Sequence, residues 1–168
     1  VFGGATGPGA PNYTGITQGY DGSAFSTRPS MGTARVYTSG TGSATAGLAF
    51  GGFAPPAPHV QGATEEYNGS SWTAGGNLNT GRMGHHGNFG TQTAGVATLG
   101  GDTPATTYTE EYDGTNWSNA NAASTARTMM GAAGVLTSGL VCGGNPGTMT
   151  TTEEYDGTNW SSGGALPV

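Results

Sequence analysis

The chain contains no lysine, and its only strong cations are four arginines set against ten Asp and Glu, for a net charge of −6. Such a cation-poor chain carries no electrostatic footprint for nucleic acid. A single cysteine excludes an internal disulfide framework and a thiolate zinc centre. No run of 18 apolar residues is present and no basic segment precedes an apolar stretch, so neither a transmembrane helix nor a signal peptide is legible in these residues. Leu, Ile, Val and Phe together supply only about 11% of the chain, below the usual floor for a packed core. Charge is scarce as well, at 8% of residues, which is too little to hold a chain open by self-repulsion. What is abundant is glycine, 34 of 168 residues, with much Thr and Ser. Such a chain orders only if something other than one large core organises it.

Repetition supplies that organisation. Thr64-Glu-Glu-Tyr-Asn-Gly-Ser-Ser-Trp72 recurs as Thr109-Glu-Glu-Tyr-Asp-Gly-Thr-Asn-Trp117 and Thr152-Glu-Glu-Tyr-Asp-Gly-Thr-Asn-Trp160, with a decayed copy from Thr17 to Phe25. The tyrosines at 20, 67, 112 and 155 give periods of 47, 45 and 43 residues. An apolar residue before Gly-Gly recurs at Phe2, Phe50, Leu99 and Cys142, and Arg35, Arg82 and Arg127 each lie 15 residues after a tyrosine. These markers divide one repeat domain, 1–168, into an incomplete unit at 1–34 and units at 35–81, 82–126 and 127–168. Spacing varies mainly between Gly-Gly and Tyr, where seven of nine prolines also lie, so that segment reads as a loop.

Each unit reads as four short strands. Asp-Gly between Tyr and Thr is a strong hairpin signal and predicts a type I′ turn with positive φ at both central residues. That turn pairs Tyr112 with Thr115 and Glu110 with Trp117, so Glu110, Tyr112 and Trp117 share a face. The Gly- and Ala-rich stretch between Arg and Gly-Gly supplies two further strands, as in Met129–Val135 and Leu140–Cys142. Its composition suits an innermost strand crowded by its neighbours. The expected fold class is all-β, a β-propeller of four-stranded antiparallel blades.

The order Arg, apolar strand, Gly-Gly, Tyr-Asp and Trp resembles the kelch repeat, and Arg82-Met-Gly-His85 resembles its Arg-x-x-His variant. The Thr-rich, lysine-free repeat style also resembles kelch-like proteins of marine bacteriophages, which implies a virion or tail-fibre component. Kelch propellers usually have five to seven blades, whereas 168 residues hold about 3.7 such units. The expectation is therefore a segment of a longer polypeptide, or a ring whose missing strand comes from elsewhere.

The residues that could carry chemistry read mostly as scaffold. Adjacent Glu residues on a strand point to opposite faces, so none of the pairs at 65/66, 110/111 and 153/154 can flank one glycosidic bond. Tyr-Asp-Gly-Thr-Asn-Trp lacks the residue that separates Asp from Gly in a sialidase Asp-box, and the arginines come one per unit instead of as a carboxylate-gripping triad. Cys142 reads as a small core hydrophobe. His85 and His86 occupy no repeated ligand position, and His59 stands alone in a loop. The expectation is no catalytic residue, no metal and no cofactor. The Asn-x-Ser/Thr sequences, three of them inside the repeated hairpin, follow from the repeat.

Each Arg is expected to be held by the Glu and aromatic face of an adjacent blade, since a buried charge needs a partner. In antiparallel blades the Asp-Gly turns fall on one rim and the variable loops after Gly-Gly on the other. Phe53, His59, Asp102 and Asn145 on that second rim are the candidate ligand-binding residues. The functional expectation is a non-enzymatic structural or adhesion module, extracellular or on a virion, within a larger assembly. Its partner would be a surface glycan or a neighbouring fibre subunit, with no nucleic acid and no membrane insertion. The alternative is a carbohydrate-active propeller whose catalytic residues lie outside this segment. An intracellular adaptor is disfavoured by the scarcity of charge.

Overall fold

A computed structural model of the chain describes residues 1–7, 12–55, 59–83, 87–101, 104–147 and 149–167. Fourteen strands and no helix occur among them: β1 Thr17–Tyr20, β2 Phe25–Arg28, β3 Ser39–Gly42, β4 Gly47–Phe50, β5 Thr64–Tyr67, β6 Trp72–Gly75, β7 Gly87–Thr91, β8 Ala94–Thr98, β9 Thr109–Tyr112, β10 Trp117–Ala120, β11 Gly131–Val135, β12 Ser138–Cys142, β13 Thr152–Tyr155 and β14 Trp160–Ser162. They form one two-stranded sheet, β1-β2, and three four-stranded antiparallel meanders, β3-β4-β5-β6, β7-β8-β9-β10 and β11-β12-β13-β14. The leading strands of the meanders are spatial neighbours, β3 beside β7 and β7 beside β11. The fold is all-β and its sheets are arranged like the blades of a propeller.

The Tyr–Trp hairpin is built differently from the expected type I′ turn. Tyr112 pairs with Trp117 and Glu110 with Asn119, leaving a four-residue loop, Asp113 to Asn116. Gly114 and Gly157 both have φ +94°, but Asp113 and Asp156 are not among the residues with positive φ. The Asp side chain makes the difference: Asp113 Oδ1 accepts the amides of Thr115 and Asn116, each at 2.8 Å. A carboxylate that imitates a backbone turn favours this longer loop. The register therefore slips by two residues from the expected one. A slip of two preserves side-chain parity, so Glu110, Tyr112 and Trp117 still share a face.

Leu99 does not stand in register with Phe50 and Cys142. The ladder places Thr98 opposite Thr109, where Phe50 faces Thr64 and Cys142 faces Thr152. Leu99 therefore takes the place of the first glycine, Gly51 or Gly143, and adopts φ +59° beside their +66°. A leucine is strained there. Its side chain is fully buried with Phe89, Val96 and Val141, which offsets the strain.

The few large apolar residues are concentrated between blades. Leu48 and Phe50 of one blade pack with Ala97, Tyr112 and Trp117 of the next, joined by Leu78 from the crossover. Phe89, Val96 and Leu99 pack in the same way with Val141 and Tyr155 of the third blade. Each buried large side chain contributes about 1.5–3 kcal/mol, so a composition too poor for one large core still supplies a small core per junction. Glycine makes the close approach feasible: a β-carbon on Gly139 would overlap the Phe89 ring, and one on Gly95 would lie 2.9 Å from Leu48 Cδ2.

Candidate functional site

The repeated charges form one latch per blade. Arg35 Nη2 meets Glu65 Oε1 at 2.6 Å, and Arg82 with Glu110 and Arg127 with Glu153 form the same buried pairs. Each Arg Nη1 also donates to two backbone carbonyls: Gly51 and Ala63, Leu99 and Tyr108, Gly143 and Thr151. The carboxylates in turn accept crossover amides, those of Gly32, Asn79 and Ser124, each at 2.6 Å. The Arg is thus held by the Glu of the blade it enters, a correction to the adjacent-blade expectation. What reaches the preceding blade is the Arg backbone, whose carbonyl accepts from Gly4, Gly52 or Gly100.

The aromatic pairs join consecutive blades. Trp72, Trp117 and Trp160 donate their indole N–H to Thr17, Thr64 and Thr109 of the preceding unit. Tyr112 and Tyr155 donate their hydroxyls to Glu66 and Glu111, both at 2.5 Å. Burial, helped by these carboxylates, pushes both phenols well above the ordinary tyrosine value. The unfolded chain therefore releases these protons first, and the stability they confer is complete below pH ~10 and lost as pH rises beyond it. Urea midpoints measured at increasing alkaline pH should fall in the native chain and fall less in Tyr112→Phe/Tyr155→Phe. Burial also lowers Arg35 and Arg82 below the ordinary guanidinium value, opposed by Glu65 and Glu110. Asp21, Asp113 and Asp156 are held below the usual carboxylate range by turn amides, Asp21 at about 2.

The two rims differ as their loops do. Gly69, Gly114 and Gly157 of the Tyr–Trp turns lie against Thr45, Thr93 and Thr137 of the first hairpin of each blade, so both turns share one rim. The Gly-Gly loops lie at the other end with the arginine crossovers. There Val36 and Phe53 exchange both backbone hydrogen bonds, at 3.0 and 2.8 Å, and Thr128 and Asn145 repeat the exchange at the same distances.

Of the four candidate binding residues, two come together. The Phe53 and His59 rings stack at 5.1 Å with an interplanar angle of 17°, and Tyr13 meets Phe53 edge-on at 5.9 Å. Phe53 and Tyr13 also line a cleft of about 440 Å³ with Val36, Tyr37 and Met83. Asn145 occupies the place of Phe53 in the last unit, and its Oδ1 accepts the Gly147 amide at 3.1 Å, closing its own turn. Asp102 lies outside the described residues, as do His85 and His86.

Sequence reasoning missed Tyr13, Val36, Tyr37 and Met83. A signal for one of them was present: Tyr37 and Met129, each two residues after a repeat Arg, have φ +54° and +55°, and the third repeat carries Gly84 at that position. A glycine in register with Tyr and Met marks a left-handed backbone that turns those side chains outward. Among the described residues no group of three or more His, Cys, Asp or Glu could hold a metal ion. Compared with known proteins, the chain matches no family model and no curated protein.

Proposed function

We propose that the chain is a non-enzymatic structural or adhesion module, part of a kelch-like propeller on an extracellular fibre or phage virion. Its Gly-Gly rim binds a surface glycan or a neighbouring subunit. The observation that carries this reading is the segregation of roles: the repeated Arg and their partner Glu are committed to blade latches, whereas Phe53 and Tyr13 line a cleft on the variable rim, with His59 stacked on Phe53. Aromatic platforms fit the apolar face of a sugar ring or an apolar side chain. Glu66 and Glu111 are engaged by tyrosine hydroxyls, which supports a scaffold role for the second carboxylate of the pair as well.

Binding to a glycan panel and to host-cell surfaces tests the reading, comparing Phe53→Ala with Thr115→Ala on the opposite rim. Phe53→Ala should weaken binding at least about tenfold, the loss of ~1.4 kcal/mol expected for a stacking contact, and Thr115→Ala should leave it unchanged. Equal loss from both rims, or loss only from Thr115→Ala, contradicts it. Release of shortened glycans would favour an enzyme.

A further inference from the structure

The turn that closes each Tyr–Trp hairpin carries Asn68 in the unit at 35–81, where Asp21, Asp113 and Asp156 stand in the others. Asn68 Oδ1 accepts the amides of Ser70 and Ser71, at 2.9 and 2.8 Å, and the Ser70 hydroxyl at 2.9 Å. The Asp side chains accept the matching amides in their own turns. Two N–H groups aimed at one atom identify it as the carbonyl oxygen of Asn68 and not its NH2 group. Of the ten asparagines only Asn68 precedes a glycine. Gly69, at φ +93°, has no side chain to shield its nitrogen, and its amide makes no backbone hydrogen bond among the described residues. Asn68, Ser70 and Ser71 are exposed, so water reaches the turn.

We propose that Asn68 is a self-modification site, at which the Gly69 backbone nitrogen displaces the side-chain amide as ammonia and residue 68 becomes acidic. The Gly69 nitrogen gives its proton to solvent base and bonds to Asn68 Cγ, while the carbonyl electron pair moves onto Oδ1. Charge thus develops on the atom where the Ser70 and Ser71 donors already converge, the arrangement of an oxyanion hole. Collapse breaks the Cγ–Nδ2 bond, ammonia leaves with a proton from water, and a five-membered cyclic imide joins residues 68 and 69. Water then opens one or the other imide carbonyl, giving aspartate or isoaspartate with no further reactant. The same turn acts in the opposite sense on the three Asp-Gly sequences. Its amides hold Asp21, Asp113 and Asp156 below the usual carboxylate range, so they stay ionised at neutral pH, and a carboxylate anion does not accept a nucleophile. Aspartate at 68 fits the turn that its three counterparts already occupy. The modification adds one negative charge to the rim opposite the Gly-Gly loops, so it stands independently of the proposed binding function.

Ageing the purified 168-residue chain at mildly alkaline pH, with peptide mapping by mass spectrometry, tests the proposal. The peptide that contains residue 68 should gain the mass of amide-to-acid conversion and contain both aspartate and isoaspartate. The conversion should run at least as fast in the folded chain as in urea, where the converging donors are lost. Ser70→Ala removes the hydroxyl donor from an exposed position and should slow the folded chain about threefold or more, the size of one neutral hydrogen bond, while leaving the rate in urea unchanged. An Asn68 that keeps its amide, or that reacts more slowly folded than in urea, overturns the proposal. So does aspartate as the sole product, which would mean direct hydrolysis, or a folded rate that Ser70→Ala leaves unchanged.

Discussion

Arg127→Ala is expected to lower the unfolding free energy by ~3–5 kcal/mol, the cost of leaving a buried carboxylate without its partner. Arg127 is fully buried and the Glu153 side chain is 4% exposed. Its guanidinium also satisfies the Gly143 and Thr151 carbonyls, and Glu153 accepts the Ser124 amide. Removing the Arg therefore takes a donor from both carbonyls and leaves the Glu153 charge without its counter-ion. An isolated buried ion pair can often be replaced by two apolar side chains at little cost. Here Arg127→Met with Glu153→Leu should remain destabilised by at least ~2 kcal/mol, because two carbonyls and an amide lose their partners. Urea denaturation of both variants checks this. A double variant as stable as the native chain would mean that the pair is dispensable.

Gly90→Val should cost ~3 kcal/mol or more, combining a left-handed backbone with a steric overlap that cannot relax. Gly90 has φ +101°, and a β-carbon there would overlap the Ala94 carbonyl oxygen, a backbone atom. Gly42 and Gly134, in the same place in the other blades, have φ +97° and +128° and meet the carbonyls of Ala46 and Ser138. Gly164→Ala serves as the control, since nothing lies within 4 Å of its added carbon. It should shift stability by no more than ~0.5 kcal/mol in the same denaturation series. Comparable losses at Gly90 and Gly164 would remove the conformational explanation for the repeated glycine.

Much of this fold was legible because repetition turns weak local signals into a periodic one. Four strands per unit and the shared face of Tyr112 and Trp117 followed from spacing, whereas the need of a buried Arg for a Glu was legible but not that the Glu belongs to the blade the Arg enters. The hairpin register did not, because Asp-Gly signals a turn without fixing whether the Asp backbone or its side chain closes it. The displacement of Leu99 into a glycine slot was invisible for a related reason. Its side chain is apolar like Phe50 and Cys142, and only the ladder to Thr109 shows that Thr98 occupies their position. The variable rim is where the repeat is least regular. Phe53 and His59 were nameable as loop residues, but their stacking depends on the hairpin that pairs Phe53 with Val60. Tyr13 joins them from another repeat, through a contact that no local pattern encodes.

The Arg–Glu pairs latch each crossover to the blade it enters. Amide hydrogen exchange reads that directly. The Gly32, Asn79 and Ser124 amides, which donate to Glu65, Glu110 and Glu153, should be among the most protected in the chain. They should exchange far more slowly than the exposed turn amides of Thr115 and Thr158, because opening them requires breaking the latch. In Arg127→Ala the Ser124 amide should lose its protection while Gly32 keeps its own. Fast exchange of all three crossover amides in the native chain, at the rate of the turn amides, would contradict the account.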